Sequence, residues 1–279
     1  MTKLMLIPSD KSFDFKCDAY LIGIDGLSVN MPIYFSIDEI CNLSFSKEIF
    51  ISLNKNMHSD DLEFLESVLV RLSKLSIKGV FFYDIAVYEI VKRLGLDISL
   101  VWAQEHMTNN YKSVNFWENK GVDYALLSEE ISCNDIVNIR KNCSCGLIVP
   151  IFGYFPMFVS RRHLKKNYLD FFDLKDDSSI NYISKEGHVY PLVDSSVTTV
   201  YTSSYLNGIK DFCLFSDVGI DYVLLNSFLV SDDKMIKVLD MFNSVNDDNK
   251  EEYFDSISNI LNGNIDTFFL HKESIYKVK

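Results

Sequence analysis

The chain has 279 residues, 48% of them hydrophobic and 24% charged, the proportions of an ordinary globular protein. At this length roughly three quarters of the surface of the unfolded chain is buried on folding, so neither disulfides nor a metal staple is needed. The net charge of −12 excludes broad affinity for phosphate backbones, which requires many Lys and Arg contacts. It leaves only local basic spots at Arg140-Lys141 and at Arg161-Arg162-His163 with Lys165-Lys166.

The first apolar run, Leu4-Met5-Leu6-Ile7, is too short for the core of a secretion signal. No later run approaches the roughly 20 apolar residues that span a bilayer. The expectation is a cytoplasmic protein off the membrane, with its six cysteines reduced. Strands are predicted over 3–7, 19–24 and 48–54. Gly23-Ile24-Asp25-Gly26 is not a phosphate loop, because it lacks the Lys and the Ser or Thr that follows it in that motif. Residues 59–76 read as a helix. Asp60 and Glu63 stand at capping-box spacing, and Leu62, Leu65, Leu69, Leu72 and Leu75 recur at steps of three and four.

One phrase then returns four times: a helix end, Gly, a β-branched or Leu residue, and a short apolar run. It appears at Lys78-Gly79-Val80, Leu94-Gly95-Leu96, Lys120-Gly121-Val122-Asp123 and Val218-Gly219-Ile220-Asp221. A Gly in the left-handed conformation closes a helix, and the run after it is the next strand. The strands so predicted cover 80–84, 98–103, 124–128, 147–153 and 222–226. Their nearly continuous apolar character fits a parallel sheet covered on both faces. Further helices are expected over 110–119, 133–141 and 231–243. Eight strands alternating with helices predict an α/β fold, a (β/α)8 TIM-barrel-like single domain, with a doubly wound open sheet as the runner-up.

The alternation breaks over 170–207, an inserted β-rich segment. There His188–Val193 and 198–202, separated by Asp194-Ser195-Ser196, predict a β-hairpin between the seventh and eighth strands. The barrel domain is expected to cover 1–245, with 246–279 as an extension packed on it. Residues 243–252 read as a charged linker, and 268–270 and 275–278 as a closing pair of strands.

In such a barrel the active site lies at the C-terminal ends of the strands. Those ends carry Asn54, Asp84, Gln104, Glu105, Ser128, Glu129, Glu130 and Asn226. Paired carboxylates there do acid–base work once their environments separate their pKa values. Glu130, His106 and Asp84 are the catalytic candidates, and the same three could hold a divalent metal with mixed nitrogen and oxygen ligands. The alternative for Glu129 or Glu130 is to cap the helix that starts near Ser132. Asn54, Glu105, Asn110, Tyr154, Arg161 and Arg162 are candidates for binding substrate, the two arginines because a guanidinium grips a carboxylate or phosphate at two points. Phe158 reads as core. No His-Glu-x-x-His helix and no Gly-x-Ser-x-Gly elbow occurs, so neither a zincin nor a serine hydrolase of that type is supported. No Cys-x-x-Cys occurs either, and Cys143-Ser-Cys145 falls in a turn between helix and strand.

Several segments, in order, resemble peptidase family U32. They are Asp18-Ala19-Tyr20-Leu21-Ile22-Gly23, Asn54-Lys55 with His58-Ser59-Asp60-Asp61-Leu62, and Thr108-Asn109-Asn110 with Asn115-Phe116-Trp117. Gly121-Val122, then Leu127-Ser128-Glu129-Glu130-Ile131, and Phe152-Gly153-Tyr154-Phe155-Pro156-Met157-Phe158-Val159-Ser160 complete the series. The resemblance implies a peptidase of unknown mechanism acting on a peptide or small molecule, with Glu130 at the family's Glu in Leu-Ser-x-Glu. It equally admits an accessory factor in the hydroxylation of RNA or of a cofactor precursor, or a non-catalytic binding subunit in a homo- or hetero-oligomer. Some members hold an iron–sulfur cluster on four cysteines. This chain has Pro156 and His163 where those members place cysteines, Phe152 in place of a histidine, and no cysteine between Cys145 and Cys213. Such a cluster needs thiolates in close array and is not expected.

Overall fold

The computed structural model describes residues 1–12, 15–43, 46–104, 106–176 and 178–272. Eight strands form a closed parallel barrel: β1 (Lys3–Ile7), β2 (Ala19–Ile24), β4 (Glu48–Leu53), β5 (Gly79–Phe82), β6 (Leu100–Trp102), β7 (Tyr124–Leu126), β8 (Gly146–Gly153) and β14 (Tyr222–Asn226). The ring closes because β14 pairs in parallel with both β1 and β8. A two-residue strand, β3 (Tyr34–Phe35), lies beside β2. Helices α1 (Ile37–Asn42), α2 (Leu62–Leu72), α3 (Ile85–Leu94), α4 (Tyr111–Glu118) and α5 (Cys133–Asn142) lie between successive barrel strands.

Residues along each strand alternate between two apolar layers. Met5, Leu21, Phe50, Phe81, Val101, Leu126, Ile148 and Leu224 point into the barrel. Leu6, Ile22, Ile51, Phe82, Trp102, Leu127, Val149 and Leu225 pack outward against the helices. The interior is therefore filled, not open. Phe50 stands at its centre, edge-on to Phe81, Tyr124 and Tyr222 with ring centroids 5.7, 6.0 and 5.3 Å away. At the N-terminal end the Tyr222 hydroxyl donates to Glu48 at 2.7 Å, and Lys3 bonds the same carboxylate at 2.8 Å. Burial pushes the Glu48 carboxyl up, but those two partners outweigh it and hold the group below its ordinary range.

The recurring Gly phrase has a physical cause. Gly95, Gly121 and Gly219 close their helices at φ +60, +75 and +82. Gly79 differs: it belongs to its strand, and a β-carbon there would come within 3.2 Å of the Phe50 ring. The Asp that follows in Gly-Val-Asp and Gly-Ile-Asp accepts from an N–H at the start of the neighbouring strand. Asp123 takes that of Leu100 and Asp221 that of Leu147, each at 2.9 Å. Asp18 does the same for Leu4 at 2.8 Å.

Between β8 and β14 the chain adds β9 (Pro156–Ser160), α6 (Leu164–Phe171), β10 (Ile180–Lys185), β11 (His188–Asp194), β12 (Thr198–Tyr201), β13 (Tyr205–Asn207) and α7 (Phe212–Asp217). The expected hairpin is β11–β12, but it is the middle of a four-stranded antiparallel sheet in the order β10-β11-β12-β9. β10 escaped the sequence reading because it mixes apolar and polar residues without a clean alternation, and β9 because its apolar residues 157–159 are exposed on the sheet instead of buried in a core. Phe158, expected in the core, is half exposed on β9. β13 pairs antiparallel with β8 and parallel with β15 (Ile265–Asp266). After β14 come α8 (Asp232–Ser244) and α9 (Lys250–Ile260), so the charged linker is a short turn between two helices. Phe268–His271 is a 3-10 turn instead of the expected strand. Residues 275–278 lie outside the described residues. No helix among the described residues is long and apolar enough to cross a membrane.

Candidate functional site

A cavity of about 690 Å³ opens at the C-terminal mouth of the barrel. One wall is built from loops that follow β2, β4, β5 and β6, and supplies Asp25, Asn30, Asn54, Lys55, Tyr83 and His106. The opposite wall is the insertion: Met157, Phe158 and Val159 of β9, then Arg161 and the β11–β12 turn 195–197. The two walls are tied together where the Thr199 hydroxyl donates to Asn30 and where Arg161 reaches the Asn56 carbonyl at 3.5 Å. A narrower pit of about 50 Å³ shares Asn30, Asn54 and Pro156 with the cavity and runs toward Phe81 and Leu224 in the barrel interior, with Glu129 on its rim.

The structure divides the candidate residues into those at the mouth with accessible side chains and those committed to the scaffold. His106 lines the cavity, and its Nδ1 stands 3.9 Å from Oε2 of Glu130. Both side chains are substantially exposed, so an ion pair formed on protonation of the imidazole would be a weak one. Glu130 does not cap the following helix. That position belongs to Ser132, whose hydroxyl accepts from the Asp135 N–H while Asp135 accepts from the Ser132 N–H. Arg161 lines the cavity. Arg162 lies outside the lining, and its carbonyl accepts from the Thr198 hydroxyl at 2.7 Å.

Asp84 is engaged twice by backbone. It caps α3 through the Ala86 N–H and holds the Met57 N–H, both at 2.9 Å. Asn54 lines the cavity, yet both ends of its amide clamp Val29, accepting from its N–H at 2.9 Å and donating to its carbonyl at 3.0 Å. Asn110 caps α4 by accepting from the N–H groups of Lys112 and Ser113. Tyr154 is buried away from the cavity, with its hydroxyl accepting from Asn264 at 2.8 Å and its ring against Tyr205. Burial pushes its phenol above the ordinary range. Glu105 lies outside the described residues. Asp84, His106 and Glu130 are not gathered closely enough to share one ion, since the described groups of three possible ligands within 4.8 Å do not include them.

Sequence reading missed Asn30 and the turn 195–197. Asn30 adopts a left-handed conformation, φ 59, in the loop that Asn54 clamps, and an Asn one residue ahead of Met31-Pro32 was the available signal. The turn was legible as the connection of the predicted hairpin, but Ser195, Ser196 and Val197 carry no group that marks a cavity wall.

The profile of peptidase family U32 matches residues 17–278. The chain belongs to that family. This U32 member is 24% identical to tRNA hydroxylation protein P2 of Bacillus subtilis (strain 168), over 92% of each chain. It is 25% identical to tRNA hydroxylation protein P1 of the same organism across 56% of this chain and 38% of that relative. Among solved structures it is similar to the U32 peptidase Mk0906, at 14% identity and a TM-score of 0.48, covering 81% of this chain and 92% of that one.

The donors for a four-cysteine iron–sulfur cluster do not fit this U32 chain. Pro156 stands on the cavity wall, and the cavity lining contains no cysteine. Cys143 and Cys145 lie ahead of β8, at the opposite end of its strand from the mouth. There the Cys145 thiol bonds to Cys143, lowering the pKa of Cys143 and raising its own.

Proposed function

We propose that this U32 barrel is an accessory subunit in tRNA hydroxylation, holding a small polar reactant in the mouth cavity without an iron–sulfur cluster of its own. The observation that carries this reading is the end-to-end relationship with tRNA hydroxylation protein P2, which spans 92% of both chains. The chemistry of the cavity supports it. Arg161 and His106 offer donors, Asn30 offers its amide nitrogen, and β9 contributes an apolar strip, while Lys55 is held by Asp61 and the Gly26 carbonyl at the cavity edge. Such a lining suits a small molecule with acidic or carbonyl oxygens and an apolar body. The net charge of −12 disfavours an extended tRNA interface and leaves a local contact around Arg161 and Arg162.

A second reading, peptide hydrolysis, follows from the family's name and rests on the His106–Glu130 pair as an acid–base couple. One experiment separates the two. tRNA from cells lacking the protein, and from cells restored with wild type or Glu130→Gln, is digested to nucleosides and weighed by mass spectrometry. Loss of a nucleoside one oxygen heavier than its parent, recovered with wild type, supports the tRNA reading. An unchanged nucleoside profile, with casein cleaved by the purified wild type and not by the variant, overturns it in favour of the peptidase.

A further inference from the structure

Away from the mouth cavity, three elements distant in sequence bring together a thiol, a carboxylate and an imidazole. Cys133 is the first residue of α5, Asp211 ends the 3-10 turn Ile209–Asp211 ahead of α7, and His271 ends the 3-10 turn Phe268–His271. One ligand atom from each lies within 4.8 Å of the other two, and Nε2 of His271 is 3.0 Å from Oδ2 of Asp211. Each position is fixed by its own local structure. The Ser132–Asp135 capping box sets the start of α5. Leu270 is buried beside Gly208 and Ile151, and so places the histidine that follows it.

We propose that Cys133, Asp211 and His271 form a zinc site on the flank of the barrel, with a fourth position open to water. Zinc takes this mixture of thiolate, imidazole and carboxylate, with bonds of about 2.0–2.3 Å. Ligand atoms around such an ion sit roughly 3.3–3.8 Å apart, given tetrahedral geometry at those bond lengths. With all three ligand atoms within 4.8 Å of one another and the Asp211–His271 pair at 3.0 Å, modest side-chain rotation reaches that spacing. A softer donor set than oxygen alone also disfavours magnesium and calcium. Cys133 and Asp211 are buried whereas His271 is half exposed, so the ion enters and leaves past the imidazole. Bound there, it fastens the turn 268–271 to α5 and to the turn before α7, across both β7–β8 and β8–β14 connections. This site is separate from the mouth cavity and does not depend on the reading of tRNA hydroxylation.

The test uses the full chain, stripped with chelator and titrated with Co²⁺ and with Zn²⁺. The wild type is expected to bind one ion, give a thiolate-to-cobalt charge-transfer band with visible d–d bands, and melt at a higher temperature with Zn²⁺. Cys133→Ser should lose the charge-transfer band. His271→Gln, a surface change that leaves the core intact, should weaken binding at least tenfold and abolish the thermal shift. Absence of the band in wild type, or His271→Gln binding as tightly as wild type, overturns the proposal. So does a band that persists in Cys133→Ser and disappears in a Cys143→Ser/Cys145→Ser double variant, which would move the thiolate to the other cysteine pair.

Discussion

His106 and Glu130 face each other over 3.9 Å at the barrel mouth, on loops that follow adjacent strands β6 and β7. Their side chains are 54% and 41% exposed, so the pair contributes on the order of 0–1 kcal/mol to stability. If it works on a reactant in the cavity, its removal should separate function from folding. His106→Ala and Glu130→Gln are each expected to keep the wild-type melting temperature within a degree or two. Each should also reduce the oxygen-bearing tRNA nucleoside at least tenfold in complemented cells. A normal nucleoside level in both variants would remove this pair from the function.

Asn54 illustrates a mouth residue whose amide is spent on the scaffold. Replacing it with Ala strands the N–H and carbonyl of Val29, both part of the loop that carries Asn30 to the cavity. Losing both bonds should cost about 2 kcal/mol, read as a lower urea midpoint. Asn54→Asp keeps the acceptor and loses the donor, and should fall between Ala and wild type. Equal midpoints for all three proteins would mean that the clamp is not holding the loop.

These cases show what the sequence could and could not reveal. The eight barrel strands were legible because each is a short apolar run and most are entered through a Gly or Asp, and the bounds predicted for β1, β2 and β14 coincide with those observed. The mouth itself was half legible. Polar residues after each strand could be named, but whether a side chain faces the cavity or bonds back to the chain depends on loop geometry. Asp84 looks catalytic and Asn54 and Asn110 look substrate-binding in one dimension, and all three cap or clamp the chain in three. The insertion was the least legible part. Its sheet pairs β9 with β12 across 37 intervening residues, from Ser160 to Thr198, and no local pattern encodes such a contact.

Inside the insertion, Asp194 is a buried carboxylate that accepts from the Lys166 N–H at 3.1 Å, from His163 Nδ1 at 3.0 Å and from the Thr198 hydroxyl at 3.0 Å. Burial pushes its pKa up, and the three bonds more than offset that, leaving it below the ordinary value. A depressed folded-state pKa favours the native state when the group is ionised. That contribution is complete above the unfolded value near 3.8, and is lost as the pH falls through the lower folded value. Hydrogen exchange across 160–201 should therefore show protection in wild type at pH 6 that declines below about pH 4. Asp194→Asn should lack about 2 kcal/mol of that protection already at pH 6, since it removes hydrogen bonds to a charged group. Identical protection in both proteins at pH 6 would show that Asp194 does not hold the insertion together.

The resemblance to the family implies a histidine in cluster-bearing members at the position of Phe152, whose ring in this chain is fully buried in the outer layer. It stacks on Tyr205 at 6.4 Å and meets Phe242 edge-on at 6.2 Å, away from the mouth. Next to it, Gly153 adopts φ +113, and a β-carbon there would lie 2.3 Å from the Asn226 carbonyl oxygen, where β8 and β14 close the barrel. The backbone at 152–153 is thus fixed by closure, and the side chain at 152 is directed into the packing of α8. Phe152→His should lower stability by about 3 kcal/mol, through lost aromatic packing and a buried imidazole without a partner, and should create no ligand at the mouth. Gly153→Ala should be worse, because the clash is with backbone and cannot be relieved by a rotamer. Thermal melts of the two variants test the order. A Phe152→His protein as stable as wild type would place this side chain at the mouth after all, and would reopen that position as a ligand in the cavity.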